Sequence, residues 1–224
     1  MHIVFVCAEY PVDGRPTGGF GTYVKNISNA LVELGHRVTI VTRSANAKIE
    51  VASGLTIRAL APFDSLEYLH SNSSPVFNRI ITALDYPVFF SWQVRKLLNQ
   101  LVQLEDVDII EGSEFAAELF FYLLLKNDAS PPVVIKLHTP SFVIRGYNEQ
   151  KHSIFSRILE FSERFALTKA DRVYSPTKDL ASVVKHKYGI KTSKVIPYPA
   201  PRFKKTKIKR LKNVVLYVGK LQTK

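Results

Sequence analysis

The chain of 224 residues holds one cysteine, one methionine and one tryptophan. A single thiol, Cys7, excludes an intrachain disulfide and offers no thiolate cluster for zinc. It reads as a small buried hydrophobe and fits a reducing, cytoplasmic compartment. Long apolar runs are missing too. The strongest, "LFFYLLL" from Leu119 to Leu125, falls far short of the roughly 20 residues that cross a bilayer. The opening "MHIVFVCAEYP" has neither a basic n-region nor a small-residue cleavage site, so a first strand is expected there rather than a signal peptide. The histidines follow no metal-ligand spacing, and no G-x-S-x-G nucleophile elbow occurs. Zinc-finger spacing, a ribonucleoprotein-type aromatic motif and a helix-turn-helix are also absent, which argues against nucleic acid as a partner.

What is present suits a well-cored globular domain: 46% hydrophobic and 22% charged residues, with a formal charge of +12. Much of the excess lies in "RFKKTKIKRLK", Arg202 to Lys212, with seven basic residues and no acid. Such a run is either a patch for anionic lipid or phosphorylated ligands, or a solvated linker.

Strand-like and helix-like stretches alternate. Strands are expected at His2–Cys7, Arg37–Thr42, Leu55–Leu60, Asp108–Glu111, Val133–Leu137, Arg172–Tyr174 and Lys194–Ile196, with a hairpin or loop at "SANAKIEVASG". Helices are expected from Gly21 to Leu34 (closed by Gly35), from Trp92, and from Glu114 to Lys126. Another carries the stripe Ile154, Ile158, Phe161 and Phe165, and a last one spans Thr177 to Tyr188, closed by Gly189. Ser175–Pro176 suits an N-cap and first turn. Residues 62–90, rich in aromatics, serine and asparagine, resist assignment. This alternation predicts an α/β fold, a Rossmann-like doubly wound parallel sheet. Ligands bind beyond the carboxyl ends of such strands. That rule selects the loop after the first strand, "EGSE" after Ile110, and "HTPSF" after Leu137.

In the first of these, "PTGGFGTYV", successive glycines can turn backbone N–H groups towards an anion at a helix N-terminus. Gly18, Gly19 and Gly21 are the candidates. The dinucleotide fingerprint is not met, because its third glycine would fall at Val24. Thr42-Arg43 also stands where a dehydrogenase carries an acidic residue. His138 could act as a base, bond a sugar hydroxyl, or serve the structure alone. Glu111 and Glu114 could do acid–base chemistry or bind hydroxyls, and Glu114 could instead be first-turn charge on a helix.

Three segments together resemble family 4 glycosyltransferases of the GT-B fold. These are "AEYPVDGRPTGGFGTYVKNISNALVELGHRVTIVT", "KADRVYSPTKDLASVVKHKYGI…KVIPYPAP" and "NVVLYVGKLQTK". The resemblance implies the N-terminal half of a two-domain enzyme, cut just inside its second half: residues 1–200 as the acceptor-side domain, 201–212 as a basic linker, and 213–224 as the first strand of a missing C-terminal domain. It further implies hexosyl transfer, with retention, from a UDP- or GDP-linked nucleotide-sugar to a glycan or lipid-linked acceptor, with no metal or other cofactor. Gly18 and Gly19 match glycines that approach the donor phosphate and sugar, and His138 matches the histidine that contacts the donor sugar. Lys220 stands where the family has a phosphate-gripping arginine, exchanging a bidentate fork for a point charge. Thr139, Arg145 and Ser175 join the candidates because their loops should face the cleft. "VIPYPAP" departs from the family's usual closing sequence. The aromatics of residues 62–90 are expected either to stack on sugar, to rest peripherally against a membrane, or to belong to the core. The alternative reading is a glycan- or membrane-binding module without catalysis.

Overall fold

The computed structural model describes residues 1–12, 17–62, 84–149 and 151–199, together with positions 74, 78, 80 and 81. Among them, eight strands form one sheet: β1 (His2–Val6), β2 (Arg37–Arg43), β3 (Lys48–Ala52), β4 (Leu55–Leu60), β5 (Ile109–Ser113), β6 (Val133–Lys136), β7 (Arg172–Ser175) and β8 (Lys194–Val195). Their order is β3-β4-β2-β1-β5-β6-β7-β8. Every neighbouring pair is parallel except β3 with β4, the hairpin anticipated at "SANAKIEVASG". Its turn includes Gly54, at φ +75°.

The helices are α1 (Gly19–Glu33), α2 (Ser91–Leu104), α3 (Phe120–Leu124), α4 (Ser141–Tyr147), α5 (Ile154–Lys169) and α6 (Lys178–Tyr188). A π-helical turn, Asp85–Phe90, leads into α2. β1 is buried on both faces, as its unbroken apolar sequence requires. Its alternate residues feed two cores. Ile3, Phe5 and Cys7 pack with Phe20 and Val24 of α1, whereas Val4 and Val6 pack with Val94 and Leu98 of α2 and Leu167 of α5. Each fully buried leucine or valine contributes about 1.5–3 kcal/mol. From β1 the chain runs outward through β2 to β4, then returns to β5 on the other side of β1. The crevice at a topological switch point of this kind is where such sheets bind ligands.

Three expectations need correction. Glu114–Lys126 is not one helix but a 3-10 turn, Phe115–Ala117, followed by α3. Ala116 and Ala117 break it by adopting φ of 59° and 51°, a conformation costing about 1–3 kcal/mol for each non-glycine residue. The break turns Glu114 towards His138 and Glu118 towards Ala8, where their carboxylates accept backbone N–H groups. The stripe Ile154–Ile158–Phe161 of α5 faces outward; Ser162, Glu163, Ala166 and Leu167 form the buried face. Glu163 fixes that rotation by accepting bonds from Ser141 and Ala116. Finally, Thr177 rather than Ser175 caps α6, accepting from the Leu180 N–H. Ser175 is committed to the sheet through its pairing with Val195. The "HTPSF" stretch after β6 leads into α4.

Candidate functional site

The loop after β1 folds back on the start of α1. Thr17 Oγ1 donates to the Glu9 carbonyl at 2.7 Å. Gly21 lies against that contact: a Cβ there would stand 1.9 Å from Thr17 Oγ1 and 2.2 Å from the Glu9 oxygen. Only glycine permits this approach. Gly18 takes the N-cap position in extended backbone, with no side-chain cap and no acid in the first turn. Gly19 faces open space, since a Cβ there would meet nothing within 4 Å. The N-terminus of α1 is thus exposed and favourable to negative charge, and the Glu9 carboxylate already lies against it at Gly18.

Across from it stands His138, just beyond β6. Its backbone N–H donates to Glu114, both carboxylate oxygens lying 3.0 Å away. Its ring packs between Phe20 (centroids 4.2 Å apart) and Tyr198, which stacks at 5.1 Å and 14°. The Tyr198 hydroxyl lies 2.7 Å from Nδ1 and also donates to the Leu137 carbonyl at 3.2 Å. Both bonds are satisfied together when Nδ1–H donates to the Tyr198 oxygen. That tautomer leaves Nε2 as an acceptor, and Nε2 has no protein partner. Burial, and secondarily the Lys136 charge, hold the imidazole pKa down to about 3, so the ring is neutral at neutral pH. The open space between Gly18–Gly19 and His138 is a cleft of about 390 Å³, also bordered by Glu9, Thr139 and Tyr198.

Beneath the cleft lies a polar network. Glu111 of β5 accepts from the Tyr23 hydroxyl at 2.6 Å. Burial raises its pKa, outweighing that bond and the Lys136 charge. Lys136 is buried at the end of β6, donates to the Ile196 carbonyl at 2.6 Å, and lies over the rings of Tyr23 and Tyr198. It ties the departing segment Ile196–Tyr198 to the sheet. Glu114 and Glu163 hold the two ends of the His138–Ser141 loop. Burial pushes their carboxyls up to about 8 and about 7.

Of the residues singled out in the sequence, Gly18, Gly19, His138 and Thr139 meet at the cleft. Gly21 lies behind them, and Glu114 lies below, on the His138 backbone. Two others are not brought in. Arg145 of α4 pairs with Glu160 of α5, and Ser175 is buried at the end of β7, bonding the Thr177 carbonyl. Lys220, the basic run and the last strand lie outside the described residues, as does most of the 62–90 region. Tyr198, Lys136, Tyr23 and Glu163 were missed. Lys136 did carry a signal, as a charge closing an otherwise apolar buried strand. Tyr198 sat in a proline-rich stretch that reads as linker. Among the described residues, no group of three His, Cys, Asp or Glu side chains could hold a metal.

Similarity to known proteins agrees with this fold. No curated protein matches the chain in sequence. Among solved structures it is similar to sucrose-phosphate synthase from Thermosynechococcus elongatus (TM-score 0.64, 14% identity), covering 88% of this chain and 47% of that one. It is also similar to the catalytic domain of Starch Synthase IV from Arabidopsis thaliana, bound to ADP and acarbose (TM-score 0.53, 16% identity, 88% and 51% covered). A third likeness is to Phytolacca americana UGT2 complexed with UDP-2fluoro-glucose and pterostilbene (TM-score 0.54, 12% identity, 83% and 50% covered). The chain therefore spans about half the length of these structures, and its sheet is that of a GT-B glycosyltransferase domain. The family model for Glycosyltransferase Family 4 matches residues 17–199, from Thr17 beside the glycine loop to Pro199 beyond Tyr198, and the chain belongs to that family.

Proposed function

We propose that this domain serves hexosyl transfer from a UDP- or GDP-linked sugar to a hydroxyl of a glycan or lipid-linked acceptor, with retention at the anomeric carbon. The carrying observation is the opposition of His138 and Gly18–Gly19 across one cleft, with the buried Nε2 lacking a protein partner. In the transfer, the bond from C1 to the diphosphate oxygen breaks and a bond from C1 to the acceptor oxygen forms on the same face. The acceptor proton passes to the departing diphosphate. The open N-terminus of α1 would meet the diphosphate charge, worth most where water is excluded. Neutral His138 would accept a hydrogen bond from a donor-sugar hydroxyl through Nε2, fixing the sugar rather than taking the reacting proton. A metal is not part of this proposal. Nucleotide grip falls to a second domain, which in this reading begins near Val214 and brings Lys220 to the diphosphate.

The test is transfer by the full gene product, read as release of nucleoside diphosphate from a panel of nucleotide-hexoses. His138→Ala should lower kcat/KM by about a hundredfold, the scale of lost positioning by one group. Turnover unchanged in His138→Ala would remove the histidine from the site. Sugar or lipid binding without turnover on any donor would favour the non-catalytic module.

A further inference from the structure

α5 shows an apolar stripe to solvent. Ile154, Ile158 and Phe161 are 63%, 38% and 64% exposed. They are not a core face left uncovered by a shift in the helix, because Ser162, Glu163, Ala166 and Leu167 already fill the inner side. At 3.6 residues per turn, these three and Phe165 occupy a band about 60° wide. Arg157 and Arg164 border it on one side and Lys169 on the other, all exposed. Both acids of α5 turn inward: Glu160 pairs with Arg145, and Glu163 accepts from Ser141. Every charge that α5 presents to solvent is therefore positive. The apolar surface continues beyond the helix through half-buried rings. Phe165 meets Phe120 at 5.1 Å, and Phe121, the next residue, meets Trp92 at 5.3 Å. Arg95 lies over that indole, 4.9 Å from its centroid.

We propose that this face docks the chain on an anionic lipid bilayer, with Phe161, Ile154 and Ile158 at the boundary of headgroups and acyl chains. Arg157, Arg164 and Lys169 then lie among the anionic headgroups. A narrow apolar stripe between two basic margins, with no outward acid, is what an interfacial helix needs. No helix among the described residues is long and apolar enough to cross a membrane, and the proposed contact is a peripheral one. The inference does not depend on the transfer reaction. It places the cleft one helix from the lipid, since Glu163 on the inner side of α5 also holds Ser141, three residues after His138.

The experiment is co-sedimentation of the chain with phosphatidylcholine vesicles, with and without roughly a third phosphatidylglycerol. Binding is expected only to the anionic vesicles, and it should weaken with salt. Phe161→Ser with Ile158→Ser should reduce partitioning about tenfold or more. Arg157→Gln and Arg164→Gln should each reduce it about fivefold. These residues are exposed, so circular dichroism should stay that of wild type. Absence of binding to anionic vesicles would overturn the proposal. Binding unchanged in the Phe161/Ile158 variant would also overturn it, leaving the basic run Arg202–Lys212 as the lipid contact. A dimer in light scattering that the same variant dissociates would reassign the face to a contact between copies.

Discussion

Both carboxylate oxygens of Glu114 lie 3.0 Å from the backbone nitrogen of His138. One buried acid, delivered by a broken helix, thereby fixes where the histidine leaves β6. The chemistry attributed to the cleft depends on that contact, because a ring aimed by packing alone would follow its backbone.

Glu114→Ala should cost about 2–4 kcal/mol, since it leaves the His138 N–H unpaired in a site closed to water and opens a cavity. Glu114→Gln keeps an acceptor and should cost about 1 kcal/mol. Urea unfolding of both variants measures the difference. Equal losses would mean that only side-chain volume matters.

The same carboxylates predict how stability varies with pH. The folded pKa values of Glu114 and Glu163, about 8 and about 7, lie above the ordinary 4.5. Stabilisation from a raised pKa is fully present below the unfolded value and is lost as pH rises through the folded one. Their joint contribution should therefore fall between pH 4.5 and 8. The depressed His138 pKa, about 3, acts the opposite way below the ordinary 6.5. Urea midpoints should therefore decline between about pH 6.5 and 8, and Glu114→Gln should flatten that decline. A midpoint that rises steadily over the range would contradict the assignment.

The two glycines at the start of α1 should separate folding from binding. Gly21→Ala drives a methyl into the Glu9 backbone and Thr17, so about 2 kcal/mol or more of stability should be lost. Gly19→Ala meets no protein atom and should change stability by less than about 0.5 kcal/mol. It should nonetheless weaken ligand binding, because the new methyl occupies the cleft floor. Thermal unfolding and a ligand titration on each variant test the contrast.

Tyr198→Phe removes the oxygen that accepts from His138 Nδ1–H. The cost should be about 1 kcal/mol, and the imidazole should gain population of the tautomer protonated at Nε2. Nitrogen-15 shifts of the ring report this directly. An unchanged tautomer ratio would mean that Tyr198 only packs against the ring.

Much of the architecture was legible because burial on both faces leaves a plain mark. The runs "HIVFV", "RVTIV" and "VVIK" could hardly be anything but interior parallel strands, and their alternation with amphipathic helices led to the doubly wound sheet. His138 and the glycine loop were found by the same logic, since the carboxyl ends of those strands set where to look. The errors share a cause. Glu163 buries itself to hold a loop 22 residues away, which periodicity cannot register, and so the apolar stripe of α5 does not mark its buried face. Glu114 and Glu118 break a helix for contacts 24 and 110 residues away. Tyr198 reaches His138 across 60 residues, from a segment whose prolines mark it locally as a linker.

The most direct measurement is an isotope-edited NMR titration of the full gene product with nucleotide-hexoses at millimolar concentration, following the His138 imidazole and the Gly19 amide. The account predicts that both shift together with a nucleotide-sugar, with Nε2 changing more than Nδ1, and that His138→Ala abolishes the Gly19 response. Shifts confined to other surfaces, or none at either residue with any donor, would contradict the claim that this cleft receives the sugar.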